Sequence, residues 1–259
     1  MAQPCSTGIP DWTDGRAYAP LFEVERAGFA WEWLRRQPDY AAAARQALDR
    51  AASGEGLEDR RALAWNLHAF EHPDLPAPEA RPMWTAAAHP WVVRAAAEPA
   101  APGEDALDLE QLGPLPSLVR SANRARLLLS DGYRSVRLDL RGRAIGRSPV
   151  RLSYELTGID ALERPLLVLR RLRAIAIGGR FRLSLHPRVR RAHRLVQLLR
   201  THDALRMGAS QADIAQMLLR PGLERSRWRV HSPSIRSQAQ RLAGAARRMR
   251  EGAFWHLLE

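Results

Sequence analysis

The sequence has no lysine and only one cysteine, although it contains 259 residues and 40 basic side chains. Cys5 alone cannot form an intramolecular disulfide, which favours a reducing compartment. There is no run of about 18 apolar residues, so we expect no transmembrane helix and no membrane partner. The N-terminus also lacks the basic and apolar regions of a signal peptide. These absences predict a cytoplasmic protein.

Patterns that would indicate an enzyme are also missing. The eight histidines form no two-histidine helical metal motif, a single cysteine disfavours a zinc site, and no glycine-rich phosphate loop is present. We therefore predict no cofactor, no metal and no catalytic residue. The segment "HPRVRRAHR" resembles the basic content of tyrosine recombinases, but those enzymes need a tyrosine late in the chain. The last of the four tyrosines here is Tyr154.

Acidic residues are scarce in the second part of the chain. Residues 1–115 hold 10 arginines against 18 acidic residues, a net charge of −8, whereas residues 116–259 hold 30 against 10, a net charge of +20. A region of this charge attracts polyanions at long range. Nucleic acid is favoured over an anionic membrane, because the arginines are spread over about 140 residues instead of forming one cluster beside a membrane segment.

The acidic part is predicted to be helical. Apolar residues from Tyr18 to Trp33 recur at helical spacing, Pro38 is expected to end that helix, and Asp39 to cap a second one through about Ala52. Six of the eight tryptophans lie in this part, at positions 12, 31, 33, 65, 84 and 91. Large aromatic side chains of this kind favour a core over an exposed partner surface.

The middle of the chain shows a period of two. Two alternating runs flank Asp131-Gly132, a strong hairpin signal, and a third strand is expected from Val150. Helical spacing returns over residues 160–176, and Gly178-Gly179 ends that helix. The fold class predicted is α+β, mainly α, with a small antiparallel β-meander. The boundaries predicted are a helical domain at 1–98, a linker at 99–122 and a basic domain at 123–259.

Three further helices are predicted after residue 187. The first should end at Gly208, the second should begin with Ser210 as N-cap and Asp213 as its capping-box partner, and the third should begin at Ser232-Pro233. This order is typical of a helix-turn-helix DNA-binding unit. The connection at residues 220–231 is longer than in the compact motif, so we interpret the unit as a variant.

The third helix should carry the reading face. Its apolar stripe runs through Ile235, Ala239, Leu242, Ala246 and Met249, and the opposite face is rich in arginine. Arginine binds guanine bidentately, glutamine binds adenine, and serine binds phosphate or base edges. With the start of the second helix, the DNA-contacting residues predicted are Ser210, Gln211, Ser234, Arg236, Ser237, Gln240, Arg241, Arg247 and Arg248.

These segments resemble a two-domain family of proteobacterial transcriptional activators carried by integrative and conjugative elements. The stretch "AWEWLRRQPDY", residues 30–40, is the most distinctive, and "LRTHDALRMGASQADIA" and "WRVHSPSIRSQAQRL" follow in the expected order. The resemblance implies an activator of excision or conjugative-transfer genes that binds promoter DNA through residues 210–219 and 232–250. It also implies a small antiactivator protein as a partner.

Two functions stay open at this point. The first is a sequence-specific DNA-binding activator, and the second is an antiactivator or scaffold that binds proteins through the same helices with little DNA contact. The partner of the acidic part is also open among RNA polymerase, another regulator and the basic part itself.

Overall fold

The computed structural model describes residues 8–50, 59–101, 104–142, 149–222 and 233–259. The N-terminal part is helical, as predicted. It contains α1 (Arg26–Leu34) and α2 (Pro38–Arg50), with 3-10 helices at Arg16–Phe22 and Arg60–Trp65. Two details of the prediction were wrong. The first helical run is divided, because the chain is extended at Glu25. Pro38 starts α2 instead of only ending α1, since proline fits the first turn of a helix, and Asp39 is therefore a first-turn acid.

The middle of the chain forms one five-stranded sheet. Its strands are β1 (Val92–Pro99), β2 (Pro116–Ser121), β3 (Arg124–Ser130), β4 (Ser135–Arg141) and β5 (Val150–Glu155). Their spatial order is β2-β3-β4-β1-β5. β1 runs parallel to β4, with Val92 opposite Arg137, and antiparallel to β5.

The expected antiparallel meander is therefore corrected to a mixed sheet. β1 was missed because its sequence, VVRAAAEP, is rich in alanine and poor in the β-branched and aromatic residues that favour strands. β2 lies within residues 99–122, where the sequence favoured a linker. β1 lies between β4 and β5. The second strand of the hairpin, β4, therefore does not pair with the third predicted strand, β5, as it would in a meander.

The predicted hairpin at Asp131-Gly132 is confirmed, and its turn also fixes a long-range contact. The Asp131 carboxylate accepts hydrogen bonds from the amides of Tyr133 and Arg134. Gly132 has a φ of +95°, and a Cβ atom at this position would lie 2.3 Å from the carbonyl oxygen of Pro78. Glycine is needed here both for the backbone conformation and for this close approach.

The rest of the chain is helical. α3 (Glu163–Gly178) ends at Gly179 in the left-handed conformation, as predicted. It is followed by a 3-10 turn at Leu183–Leu185, by α4 (Ala192–Arg206), and by α5 (Gln211–Ile214), which continues as a π-helical turn at Ala215–Leu219. The last elements are α6 (Pro233–Arg250) and a 3-10 helix at Ala253–Leu257. No helix in the described ranges is long and apolar enough to cross a membrane.

Two large cores organise these elements. One lies between the sheet and α3 and contains residues such as Leu127, Leu138 and Ile175. The other is built from both ends of the chain, because α1 packs with α4 and the C-terminal 3-10 helix, and α6 packs with the same two elements. Trp12, Trp31, Trp33 and Trp84 are buried in this second core. The acidic part of the chain therefore packs directly against the basic part, and most of its tryptophans build the core, as expected.

Candidate nucleic-acid interface

The turn between α4 and α5 has the local structure that the sequence predicted. Gly208 is left-handed, with a φ of +78°. The Ser210 hydroxyl accepts a hydrogen bond from the amide of Asp213, and the Asp213 carboxylate accepts from the Ser210 amide at 2.9 Å. Such a capping interaction contributes about 1 kcal/mol and fixes where the short helix begins. The reversal after α4 thereby sets the direction of α5.

The inner face of α6 attaches this helix to α4 and α5. Ala239, Leu242 and Ala246 are fully buried, and Ile235 and Met249 are partly buried at the edges of the same stripe. This is the apolar stripe that the sequence predicted. Since three of the four buried residues of α6 are alanines, this helix can lie close to its neighbours.

The opposite face of α6 is exposed and cationic. Five arginines and no acidic residue lie within this 18-residue helix. Within the described part of the chain, none of the five forms an ion pair with a carboxylate, whereas Arg241 Nη1 donates a hydrogen bond to Ser237 Oγ at 3.0 Å. Gly244 lies near the middle of this face, where a Cβ atom would meet, among the described residues, the Arg248 guanidinium at 3.7 Å. An approaching backbone could therefore come close to α6 here.

The structure places the predicted DNA-contacting residues on two neighbouring helices. Seven of the nine are on α6; Ser237 is half-buried and the other six are exposed, namely Ser234, Arg236, Gln240, Arg241, Arg247 and Arg248. Ser210 is exposed before α5, and Gln211, its first residue, is half-buried. α6 packs on both α4 and α5, so the three helices form one unit. Ser232, the predicted N-cap, and most of the 220–231 connection lie outside the described residues.

The unit is held to the N-terminal helices by a buried ionic cluster. Arg36 donates from Nε and Nη2 to the two carboxylate oxygens of Asp203 on α4, both at 2.9 Å, and it also pairs with Glu32. Tyr18 donates its hydroxyl proton to Asp203 at 2.7 Å, and Glu32 accepts from the Ala77 amide at 2.7 Å. Although burial raises the pKa of Asp203, Arg36 and Tyr18 together hold it below its usual value.

The end of α6 is also fixed by the N-terminal part. Gln37 Nε2 donates to the carbonyl oxygen of Arg250 at 2.9 Å, which satisfies one free carbonyl at the helix end. Arg26 donates to the carbonyl oxygen of His256 at 2.7 Å. The C-terminal end of α6 and the segment that follows it are therefore anchored to the N-terminal part of the chain.

Sequence reasoning missed Glu32, Arg36 and Asp203 as a set. Glu32 and Arg36 belong to the distinctive "AWEWLRRQPDY" stretch, and their i, i+4 spacing indicates an ion pair within a helix. Nothing in the local sequence indicates that Asp203, which is 167 positions away from Arg36, completes the cluster.

Comparison with known families assigns both ends of the chain. Residues 11–68 match the family described as the proteobacterial transcriptional regulator-like domain, and residues 151–259 match the one described as T6SS, transcription factor, DNA binding domain. No curated protein and no solved structure matches the chain. The two family matches identify a regulator-like region before the sheet and a transcription-factor DNA-binding domain that contains α3 to α6.

Proposed function

We propose that this protein is a sequence-specific transcriptional activator that reads the major groove with the exposed face of α6. The observation that carries the proposal is the exposed arginine face of α6, whose arginines pair with no carboxylate of the described residues and which is held outward by a buried apolar stripe. A helix of 18 residues is about 27 Å long. The major groove is about 12 Å wide and admits one α-helix.

The contacts divide by chemistry. Arg236, Arg241 and Gln240 have the side chains that read guanine and adenine edges, while Arg247 and Arg248 extend the same face for phosphate contacts. Ser210, Gln211, Ser234 and Ser237 supply hydroxyl and amide groups for the sugar-phosphate backbone. In this proposal the phosphate contacts supply binding affinity, and the base contacts determine sequence specificity.

Two sets of genes are candidate targets. The sequence resemblance suggests genes for excision or conjugative transfer of a mobile element, and the T6SS description of the matched domain suggests secretion genes. We propose the transfer genes as the first set to test, with promoter DNA, RNA polymerase and a small antiactivator as partners in the bacterial cytoplasm. Genome-wide occupancy distinguishes the two sets: enrichment upstream of transfer genes supports this choice, and enrichment at secretion genes alone replaces it.

The scaffold alternative loses its main support. Its best support in the sequence was the acidic, tryptophan-rich N-terminal part, and four of the six tryptophans there are buried in the core shared with α4 and α6. The acidic part is thus already engaged with the basic part, and it leaves the arginine face of α6 exposed.

Removing one base-reading side chain should weaken specific binding. Arg241→Ala is expected to cost about 1–3 kcal/mol of specific affinity, because one bidentate contact is lost while the fold is unchanged. The measurement is a gel-shift titration at physiological salt with a promoter fragment defined by footprinting.

The matched control is Arg60→Ala, which removes an exposed arginine from the acidic part of the chain. It should bind the fragment like the unaltered protein. If Arg241→Ala binds as tightly as the Arg60→Ala control, Arg241 does not read the operator, and the assignment of the α6 face is withdrawn.

A further inference from the structure

A second cationic feature lies away from the α6 face. It is a cleft of about 720 Å³ between the start of α1, β4, α3, the segment before α4 and the C-terminal residues. This volume is in the range of sites that hold small molecules. Two glutamates, Glu25 and Glu259, are the acidic residues of its wall, against six arginines: Arg26, Arg137, Arg171, Arg188, Arg190 and Arg191.

Arg137, on β4, is the most unusual of these arginines. It is only 8% exposed, and its Nε atom has no hydrogen-bond partner among the residues that the structure describes. Its Nη1 atom donates to Ser135 Oγ. Burial lowers the pKa of Arg137 to about 10, although the charge of Glu25 opposes this effect. A buried cation with an unused donor is costly, and a bound anion would offset that cost.

The carboxylate of Glu25 does not by itself neutralise the buried arginines of the cleft. Its carboxylate already accepts from the Ser135 amide and hydroxyl, at 3.1 and 3.0 Å, and lies 2.7 Å from His186 Nδ1. Arg171 is also within 3.5 Å of it. One carboxylate therefore faces two buried arginines and a histidine, which leaves the interior of the cleft positive.

The remaining walls suit an anion attached to an apolar group. The start of the 15-residue helix α4 lines the cleft through its N-cap Arg191 and through Leu195, and its first turn contains no acidic residue. Its helix dipole adds positive potential there. Apolar surface comes from Leu167, Val168, Val189, Leu257 and the indole of Trp91.

We propose that this cleft binds an anionic small molecule, with phosphate or carboxylate groups directed at Arg137, Arg190 and Arg191 and an apolar or aromatic body against α3. Its walls come from α1 and the sheet on one side and from α4 on the other. A bound ligand therefore stabilises the contact between the regulator-like region and the helix that supports α6. The proposal does not rest on DNA binding.

The test measures anion binding without DNA. Pyrophosphate, ATP and citrate are titrated into the full chain, with ionic strength matched by sodium chloride, and binding is followed by calorimetry and by the thermal unfolding midpoint. At least one probe should bind saturably and raise the midpoint. Arg190→Ala/Arg191→Ala should weaken that binding about tenfold or more, since charge-assisted hydrogen bonds are lost.

The matched control is Arg180→Ala/Arg182→Ala, which removes the same charge from exposed positions outside the cleft wall. It should leave the affinity within about twofold of the original, since neither arginine lines the cleft and salt screens exposed charges. Arg137→Gln should also abolish the rise of the midpoint. If that variant does not fold, the anion affinity of Arg190→Ala/Arg191→Ala still tests the proposal.

Two results would overturn the proposal. The first is that none of the probes binds; if Arg190→Ala/Arg191→Ala then loses affinity for duplex DNA while the control does not, these arginines belong to the nucleic-acid interface instead. The second is that both double variants weaken binding equally.

Discussion

Asp203→Ala is expected to lower the free energy of unfolding by about 3–5 kcal/mol, the usual cost of removing one partner from a buried ion pair. The variant removes the carboxylate that pairs with the fully buried guanidinium of Arg36 and leaves Glu32 as its counter-charge among the described residues. The Tyr18 hydroxyl loses the same acceptor and keeps the longer contact with the Pro10 carbonyl oxygen, at 3.3 Å. Because Asp203 lies on α4, the loss should also loosen the contact between the N-terminal helices and the DNA-binding unit. Urea denaturation measures the change directly.

The matched control is Asp74→Ala, which breaks the exposed pair between Arg45 and Asp74 at 2.7 Å. Exposed pairs contribute about 0–1 kcal/mol, so this control should unfold nearly like the original protein. Asp203→Asn keeps the shape of the side chain, and its free energy of unfolding should lie between those of Asp203→Ala and Asp74→Ala. If Asp203→Ala costs no more than Asp74→Ala does, the buried cluster does not hold the two parts together.

Acidification from pH 6 to pH 5 is expected to lower the free energy of unfolding by about 2 kcal/mol through two buried histidines. Burial, followed by the charge of Arg137, lowers the pKa of His89 to about 3, and burial lowers that of His202 to about 4. The unfolded chain binds these protons near pH 6.5 and the folded chain does not. The stability that the two neutral histidines contribute is therefore fully present above pH 6.5 and is lost as the pH falls below that value.

His89→Gln isolates half of this effect. Glutamine keeps a donor for the carbonyl oxygen of Leu258, which His89 Nδ1 approaches at 2.7 Å, but it cannot take up a proton. The slope of unfolding free energy against pH should fall by about half between pH 6 and pH 5. His256→Gln changes an exposed histidine and controls for the loss of an imidazole. An unchanged slope in His89→Gln would show that His89 does not contribute to the pH dependence of stability. Glu32 and Asp203, whose pKa values are held low, add their losses only at more acidic pH.

Local sequence signals predicted the local structure well. The Asp131-Gly132 turn, the Ser210 capping box and the Gly179 helix end each depend on neighbouring residues, and each is present. β1 carries no such signal: its alanines become a strand only because β4 and β5 pair with it on both sides. The mixed sheet was therefore not predictable from spacing alone.

The same distinction applies to the two candidate sites. The exposed face of α6 follows from helical periodicity, because the apolar stripe fixes which side chains point outward. The cluster around Asp203 and the cleft around Arg137 are formed by residues that lie far apart in sequence. Arg137 alternates with apolar residues in β4, as a solvated strand residue would, and only the fold shows that it is buried.

The most direct test of the central claim is a salt titration of promoter binding by the full chain. If the arginine face of α6 enters the groove, the logarithm of the binding constant should fall linearly with the logarithm of salt concentration, with a slope of about −0.9 for each phosphate neutralised. Arg247→Ala/Arg248→Ala should make that slope shallower by about two, because both arginines are assigned to phosphate contacts. No measurable promoter binding at any salt, or a slope that both substitutions leave unchanged, would contradict the account.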